Sequence, residues 1–338
     1  MSDAKKIDRA IERFFPKRAG KEWLRKNLGI NGECDIFALN KSFNAPVWDF
    51  LGRGGKRWRP VLMLLCCEAV GGDAEKAVEF APIPELLHNA SLILDDIEDN
   101  SSLRRGKPAL HVAYGLDTAA NVGSGLCHLP YLVVRNSGLN EKMKADLYAL
   151  IAEETVKIHL GQALDIFWHK NSRIPKEGEY LQMAALKSGT LPRLAAKLGA
   201  KLGRGSEKQA SALGNFAESL GVAFQIHDDV LGISGKTLGK DFGEDINEGK
   251  KSLPILHTLA VAEKKDKIRL LEIISLKKKE KNVVKEAIAI IEKYESADYS
   301  KKFAEKLINS AWKKTEKTLP GSKAREKLKM LADFLIER

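Results

Sequence analysis

Pro84-Glu85-Leu86-Leu87-His88-Asn89-Ala90-Ser91-Leu92-Ile93-Leu94 runs without a break into Asp95-Asp96-Ile97-Glu98-Asp99. The apolar run predicts a helix over Pro82 to Asp99, which sets Asp95 and Asp99 one turn apart on one face with Asp96 beside them. Carboxylates packed this closely repel one another, and a core helix has no structural use for them unless a cation sits between. The pattern returns in Phe224-Gln225-Ile226-His227-Asp228-Asp229-Val230-Leu231, where a second apolar segment carries an Asp-Asp pair at a place suited to leucine. The rest of the chain reads as a scaffold that holds these two clusters opposite each other.

Working outward from the first cluster, Asn100-Ser101-Ser102-Leu103-Arg104-Arg105-Gly106-Lys107-Pro108 predicts a loop with adjacent arginines, whose forks suit phosphate oxygens. Upstream, Gly52-Arg53-Gly54-Gly55-Lys56-Arg57-Trp58-Arg59-Pro60 interrupts a helical stretch between Val47 and Gly72. Its glycines expose backbone N–H groups, and Arg53, Lys56, Arg57 and Arg59 crowd positive charge around them, which suits a diphosphate; a basic, solvent-exposed turn is the plainer alternative. Pro60 fits the first turn of the helix that follows. His88 lies two turns before Asp95 on the same face, and taken alone reads as a satisfied core histidine.

Ile7, Ile11, Phe14 and Phe15 predict an amino-terminal docking helix within Ile7 to Leu28, and Gly29 to Phe43 reads as a loop. Helices are expected over His111 to Val134, Glu141 to Phe167, Tyr180 to Leu202 and Gly214 to Leu231. In the second of these, Gln162 and Asp165 fall about one turn apart; in the third, Lys187-Ser188-Gly189-Thr190 before Pro192 predicts a kink. A glycine-, lysine- and acid-rich loop covers Gly235 to Lys251, and helices then continue through Ile336. Sustained strand-type alternation and short repeats are absent, so the expected fold is all-α, one domain over residues 1–338.

Charged residues make up 30% and apolar residues 44% of the 338, an ordinary soluble composition with ample core. The longest apolar run, near Val61 to Cys67, is too short to span a bilayer, and no secretory signal precedes it. Cys34, Cys66, Cys67 and Cys127 lack metal-ligand spacing and read as buried thiols in a reducing cytoplasm. The net charge of +11 raises nucleic acid, anionic membrane or phosphate as partners. Much of the lysine excess lies after Ala262 interleaved with acids, which favours a solvated helical face over a nucleic-acid surface.

Aspartate oxygens without a histidine or cysteine cluster point to Mg²⁺, which keeps waters and bridges one or two carboxylates to substrate phosphates. Nucleotide loops, nucleophilic triads and glycosidase-like carboxylate pairs are missing. What remains is chemistry with diphosphate as leaving group, in which cations stabilise the departing charge and an apolar helical barrel shields the carbocation from water.

Six blocks in order, from Gly54 through Pro60, Asp95 through Asp99 with Arg104-Arg105-Gly106, Gly161 through Asp165, Lys187-Ser188-Gly189, Phe224 through Asp229, and Gly239-Lys240 through Lys250, resemble the motifs of the trans-isoprenyl diphosphate synthases. The resemblance covers roughly residues 50 to 257. It implies an isoprenoid-synthase helical bundle around a deep central cavity, several Mg²⁺ ions per active site, a homodimer, and allylic and isopentenyl diphosphates as substrates. Asp95, Asp96, Asp99, Asp228 and Asp229 would hold the allylic diphosphate through Mg²⁺, with Asp95, Asp99 and Asp228 as principal metal ligands. Arg104, Lys187, Lys240 and Lys250 would contact the same diphosphate, and Gln225 and Ser188 would lie near the ionising carbon. Gly55, Lys56, Arg59, His88 and Arg105 would bind isopentenyl diphosphate.

Ala90 and Ser91, one turn before Asp95, would form the near wall of the product channel. Their small side chains leave room for a geranylgeranyl or longer chain, and His88 through Asn100 is similar to geranylgeranyl diphosphate synthases; farnesyl or longer polyprenyl products are the alternatives. Gly232 stands where the second motif closes with aspartate, for which Asp245 is a candidate substitute, and Ser124 stands where many relatives carry aspartate. These departures keep a non-catalytic regulatory subunit as an alternative. A terpene cyclase needs no isopentenyl anion site such as Gly54 to Arg59. A lipid product makes peripheral membrane contact by the lysine-rich half an expectation.

Overall fold

The computed structural model describes residues 3–234, 243–276 and 278–336. Packing divides the chain into two compact units, Met1–Thr155 with Leu194–Ala210, and Val156–Arg193 with Ser211–Arg338. The fold is all-α, as expected; among the described residues the strands are one pair of two residues each.

The first unit opens with α1 (Asp3–Phe14) and α2 (Lys21–Leu28), where one helix was expected. Pro16 and Gly20 stand between them, and a proline has no N–H with which to continue the ladder. Ile7 and Ile11, four residues apart, bury the inner face of α1. The segment expected as a loop contains α3 (Ile36–Leu39), whose Asp35 cap accepts from the Ala38 N–H at 2.9 Å, and a π-helical turn over Asn40–Asn44 that leads into α4 (Ala45–Gly52). Next come α5 (Trp58–Ala69), α6 (Ala74–Ala77) and α7 (Pro82–Glu98).

Prolines in the first turn start α7, and Asn100 at φ 51° ends it, with the Ser101 N–H reaching back to the Asp96 carbonyl at 2.9 Å. A hairpin of β1 (Leu103–Arg104) and β2 (Lys107–Pro108) follows where a plain loop was expected. Its corner residues Arg105 and Gly106 take φ of 55° and 73°, the left-handed pair that matches strand twist. Gly115 then divides the expected helix into α8 (Leu110–Tyr114) and α9 (Leu116–Asn136). α9 packs closely on α7: a Cβ at Gly123 would lie 2.8 Å from the Leu94 side chain.

The chain passes between the units within α10 (Glu141–Lys170), α12 (Thr190–Leu202) and α13 (Glu207–Ser234). In the second unit α11 (Glu177–Lys187) precedes α12, the two being separated at Ser188-Gly189 as the kink reading requires. There follow α14 (Glu244–Glu248), which lies in the segment expected as loop, and α15 (Leu253–Val261), α16 (Lys264–Ser275), α17 (Lys281–Lys293), α18 (Ser296–Thr315) and α19 (Lys323–Ile336). Ile233, Ile246, Ile255, Leu270, Ile273 and Ile291 are among the residues of its core, while charged pairs such as Arg269 with Glu286 stand on the outer faces.

No helix among the described residues is long and apolar enough to cross a membrane. The four cysteines are free, but only Cys66 and Cys67 are fully buried; Cys34 and Cys127 are half-buried, contrary to the uniform burial expected.

Candidate active site

In the first unit, Asp95, Asp96 and Asp99 occupy the carboxyl-terminal end of α7, where the helix dipole is negative and each added carboxylate is unfavourable. Arg104 folds back from β1 as the compensating cation. Its Nε donates to Asp96 Oδ1 at 2.8 Å, Nη2 reaches the same oxygen, and Asp95 Oδ2 lies 3.7 Å away. Asp96 is 0% exposed, and burial raises its pKa against the opposing pull of Arg104. Its second oxygen, Oδ2, is buried without a hydrogen-bond partner.

The hairpin corner sends the neighbouring Arg105 elsewhere. Its Nη1 donates to the Gly54 carbonyl at 2.6 Å and approaches Asn89 Oδ1 at 3.4 Å. Gly54 and Gly55 take φ of 91° and 144°, and a Cβ on Gly55 would meet Arg57 Nη1 at 3.0 Å, so only glycine leaves this backbone open beside the guanidinium groups. Lys56 is exposed, whereas Arg59 is half-buried with its Nε sealed from solvent and unpartnered. Burial lowers Arg59 to about 10 despite Glu85, with Arg105 adding to the fall. His88, half-buried nearby, is driven well below the usual histidine range first by burial and then by Arg59, Arg105 and Arg104, so it is neutral.

Two arginines of this loop correct the expectation of a uniformly available cationic cluster. Arg53 pairs with Asp49 at 2.6 Å and donates to the Pro108 carbonyl at 2.7 Å. Arg57 turns inward to Glu85 at 2.7 Å. Two carboxylates therefore neutralise charge that the sequence pattern assigned to an anion. One turn before Asp95, Ala90 is fully buried and the Ser91 hydroxyl donates to the His88 carbonyl at 2.9 Å.

In the second unit, Gly221 allows α13 to press against the α11–α12 junction; a Cβ there would lie 2.7 Å from the Gly189 Cα. One turn later along α13, Gln225 Oε1 accepts from the Ser188 hydroxyl at 2.7 Å, and Gln225 Nε2 donates to Asp229 Oδ1 at 2.8 Å. Tyr180 of α11 donates its hydroxyl to Asp229 Oδ2 at 2.6 Å. Both Asp229 oxygens are thus held, yet burial and the charge of Asp245 push its pKa upward. Asp228 is half-buried beside it.

Lys187 donates to Asp165 Oδ2 at 2.5 Å, with His169 3.9 Å from the other oxygen. Burial alone would raise Asp165, but Lys187, His169 and Lys250 outweigh it and lower its pKa. Lys250 bonds Asp245 at 3.1 Å and Glu248 at 2.8 Å. The Asp245 carboxylate lies against Gly232, where a Cβ would come within 2.5 Å of Oδ2. The expected site residue Lys240 lies outside the described residues.

Among the described residues no three histidine, cysteine or acidic side chains are gathered closely enough to hold a metal ion by themselves. The donor set nevertheless suits Mg²⁺: carboxylate oxygens at a negative helix end, one of them buried and unpartnered at Asp96, match a hard cation that takes few protein ligands and completes its shell with water and phosphate. Sequence reasoning missed Tyr180, Asn89 and Glu85 as parts of these arrangements. A glutamate inside the apolar run of α7 signals a buried partner, whereas nothing local marks Tyr180.

Residues 40–291 match the polyprenyl synthetase family. The chain is 40% identical over 287 residues to the short chain isoprenyl diphosphate synthase of Methanothermobacter thermautotrophicus, covering 84% of this chain and 87% of the relative. It is 34% identical over 290 residues to the geranylgeranyl diphosphate synthase of Saccharolobus solfataricus, at 84% and 87% coverage. The crystal structure of geranylgeranyl pyrophosphate synthetase from Pyrococcus horikoshii superposes with a TM-score of 0.85 at 35% identity, covering 99% of this chain and 96% of that one. With its acidic helices, glycine-arginine loop and hairpin arginines in the family's order, the chain belongs to the polyprenyl synthetase family of prenyltransferases.

Proposed function

We propose that this protein condenses isopentenyl diphosphate with allylic diphosphates and that geranylgeranyl diphosphate is its principal product. The observation that carries the reading is the divergence of Arg104 and Arg105. One hairpin directs one guanidinium to the acidic end of α7 and the next to the glycine loop, which suits two diphosphates bound separately. Likeness to geranylgeranyl synthases at 34% and 35% identity, with the small residues Ala90 and Ser91 before Asp95, supports the product length.

Asp95, Asp96, Asp99, Asp228 and Asp229 would hold Mg²⁺, several ions per site, with Asp95, Asp99 and Asp228 as its direct ligands. When bound, these ions neutralise the diphosphate and so ease departure of the leaving group. Arg104, Lys187, Lys240 and Lys250 bind the allylic diphosphate, and as the C–O bond breaks their charges meet the electron pair that leaves with it. Gln225 and Ser188, locked to each other and to Asp229, orient polar atoms toward the ionising carbon without offering a mobile nucleophile. Gly55, Lys56, Arg59, His88 and Arg105 hold isopentenyl diphosphate so that its double bond attacks that carbon. The attack forms the new C–C bond, and a proton then leaves to the released pyrophosphate as its C–H electron pair restores a double bond.

The family match spans residues of both compact units, which supports one prenyltransferase domain over residues 1–338. Val156, Leu160, Leu164 and Phe167 form an exposed apolar stripe on α10, as a homodimer interface requires. Four free thiols suit the cytoplasm, with peripheral membrane contact for delivery of a lipid product.

The test is incubation of purified protein with Mg²⁺, labelled isopentenyl diphosphate and, separately, dimethylallyl, geranyl and farnesyl diphosphates, beside an Asp95→Ala control. Metal-dependent elongation ending at the geranylgeranyl chain supports the proposal; folded protein that elongates none of the primers defeats it. Ala90→Phe is expected to shorten the longest product by about one isoprene unit, measured by chromatography. An active, folded variant with the product distribution unchanged removes this residue from the channel wall.

A further inference from the structure

Arg57 lies at the start of α5 in a left-handed conformation, φ 50°, with a side chain 8% exposed. Each arm of its guanidinium has a partner: Nη1 donates to Glu85 Oε1 at 2.7 Å, Nη2 to the Leu51 carbonyl at 3.0 Å, and Nε to Asp8 Oδ1 of α1 at 2.9 Å. Glu85 also accepts from Asn89 Nδ2 at 2.9 Å, Asn89 Oδ1 faces Arg105 at 3.4 Å, and Arg105 returns to the Gly54 carbonyl at 2.6 Å. These bonds close a ring from the glycine loop through α7 and the hairpin corner back to the loop. Gly55 sits inside it, its missing Cβ facing Arg57 Nη1 and Arg105 Nη2. The ring fixes the loop backbone and the direction of Arg105 together.

We propose that Arg57 is a positioning residue for the isopentenyl diphosphate site, and that Asp8 extends its ring to α1, so that docking of the amino-terminal helix tunes affinity for that substrate. The inference rests on the proposed assignment of Gly55, Lys56, Arg59 and Arg105 to isopentenyl diphosphate. Arg57 itself is buried and bonded to Glu85, whereas Lys56 is exposed, so Arg57 acts through the backbone it holds. Asp8 is 55% exposed, so its pairing with Arg57 adds little to folding stability and acts by fixing the third arm of the fork. Ile7 and Ile11 anchor α1 on either side of Asp8 independently of that pairing.

The test uses the full chain carrying Arg57→Lys, Asp8→Asn or Lys56→Ala, with each substrate varied at saturating levels of the other, and thermal unfolding of each variant recorded. Arg57→Lys keeps the charge and loses the fork; it is expected to raise KM for isopentenyl diphosphate roughly tenfold while KM for the allylic substrate stays within about twofold, since small displacements of positioned groups cost this much. Asp8→Asn is expected to raise the same KM by about threefold with an unchanged unfolding midpoint. If Arg57→Lys does not fold, Asp8→Asn decides. Unchanged KM for isopentenyl diphosphate in the folded variants, or an equal rise for both substrates, overturns the positioning role. Lys56→Ala without effect on that KM instead defeats the underlying assignment of the loop.

Discussion

In α7 the Asp-Asp pair occupies the last turn, with Asp95 partly open to solvent and Asp96 buried, and is answered by an arginine eight residues after Asp96 in the chain. In α13 the pair lies well before the helix end, and Asp229 is buried between Tyr180 of another helix and Gln225 of its own. The same dipeptide therefore carries its charge in two ways: against a mobile-stemmed cation at one place, and within neutral donors at the other. Burial raises the pKa of both buried carboxylates, but at Asp96 the Arg104 cation opposes the rise, whereas at Asp229 the charge of Asp245 adds to it. The first region is suited to exchanging partners with a ligand, and the second to holding a fixed geometry.

The contrast is tested most severely by Asp95→Ala, expected to reduce elongation on the order of a thousandfold with little loss of stability, since it removes a half-exposed carboxylate from a repulsive cluster. Retention of activity within about tenfold breaks the assignment of α7. Tyr180→Phe should act oppositely in kind: it leaves a buried carboxylate oxygen short of a donor, and chemical denaturation is expected to read a loss of about 2 kcal/mol. Gly232→Ala forces a Cβ against the 1%-exposed Asp245, for an expected loss of about 1.5 kcal/mol; a neutral result would mean the Asp245 carboxylate is not fixed there.

The smallest effects concern pH and have opposite signs in the two regions. His88 has a folded pKa below its unfolded 6.5, so stability is full above that pH and falls as the unfolded chain takes up protons below it, by up to about 1.4 kcal/mol per pH unit. Asp229 has a folded pKa above its unfolded 3.8, so its contribution weakens as pH rises from there through the folded value. Denaturation at several pH values should show His88→Gln flattening the acid-side loss and Asp229→Asn removing the loss on raising the pH. Identical profiles for both variants would erase the distinction.

Much of the first region was legible in sequence because its parts are contiguous: the carboxylates, the two arginines and the intervening turn occupy residues 95–106. The second was legible only through Gln225, Asp228 and Asp229, because Tyr180 lies 49 residues from the carboxylate it serves. Composition around the glycine loop suggested free positive charge, but charge counting cannot tell an arginine that faces a ligand from one neutralised by Asp49 or Glu85. Helix content followed from apolar spacing, while the break at Pro16, the cap at Asp35 and the hairpin at Arg105-Gly106 are local punctuation within stretches read more coarsely. Resemblance placed Gly232 as a missing ligand; tertiary packing shows that the space is taken by Asp245.

The hairpin also makes the protein its own reporter under proteolysis. Arg104 and Arg105 offer trypsin two cleavable bonds within a short exposed corner, Lys107 being protected by the Pro108 that follows it, yet both arginines are tethered by their side chains, one to Asp96 and one to Gly54. Cleavage there requires the tethers to release and the corner to open locally. The rate of nicking at this corner consequently measures how firmly the two arginines are held, without any need to follow the reaction itself.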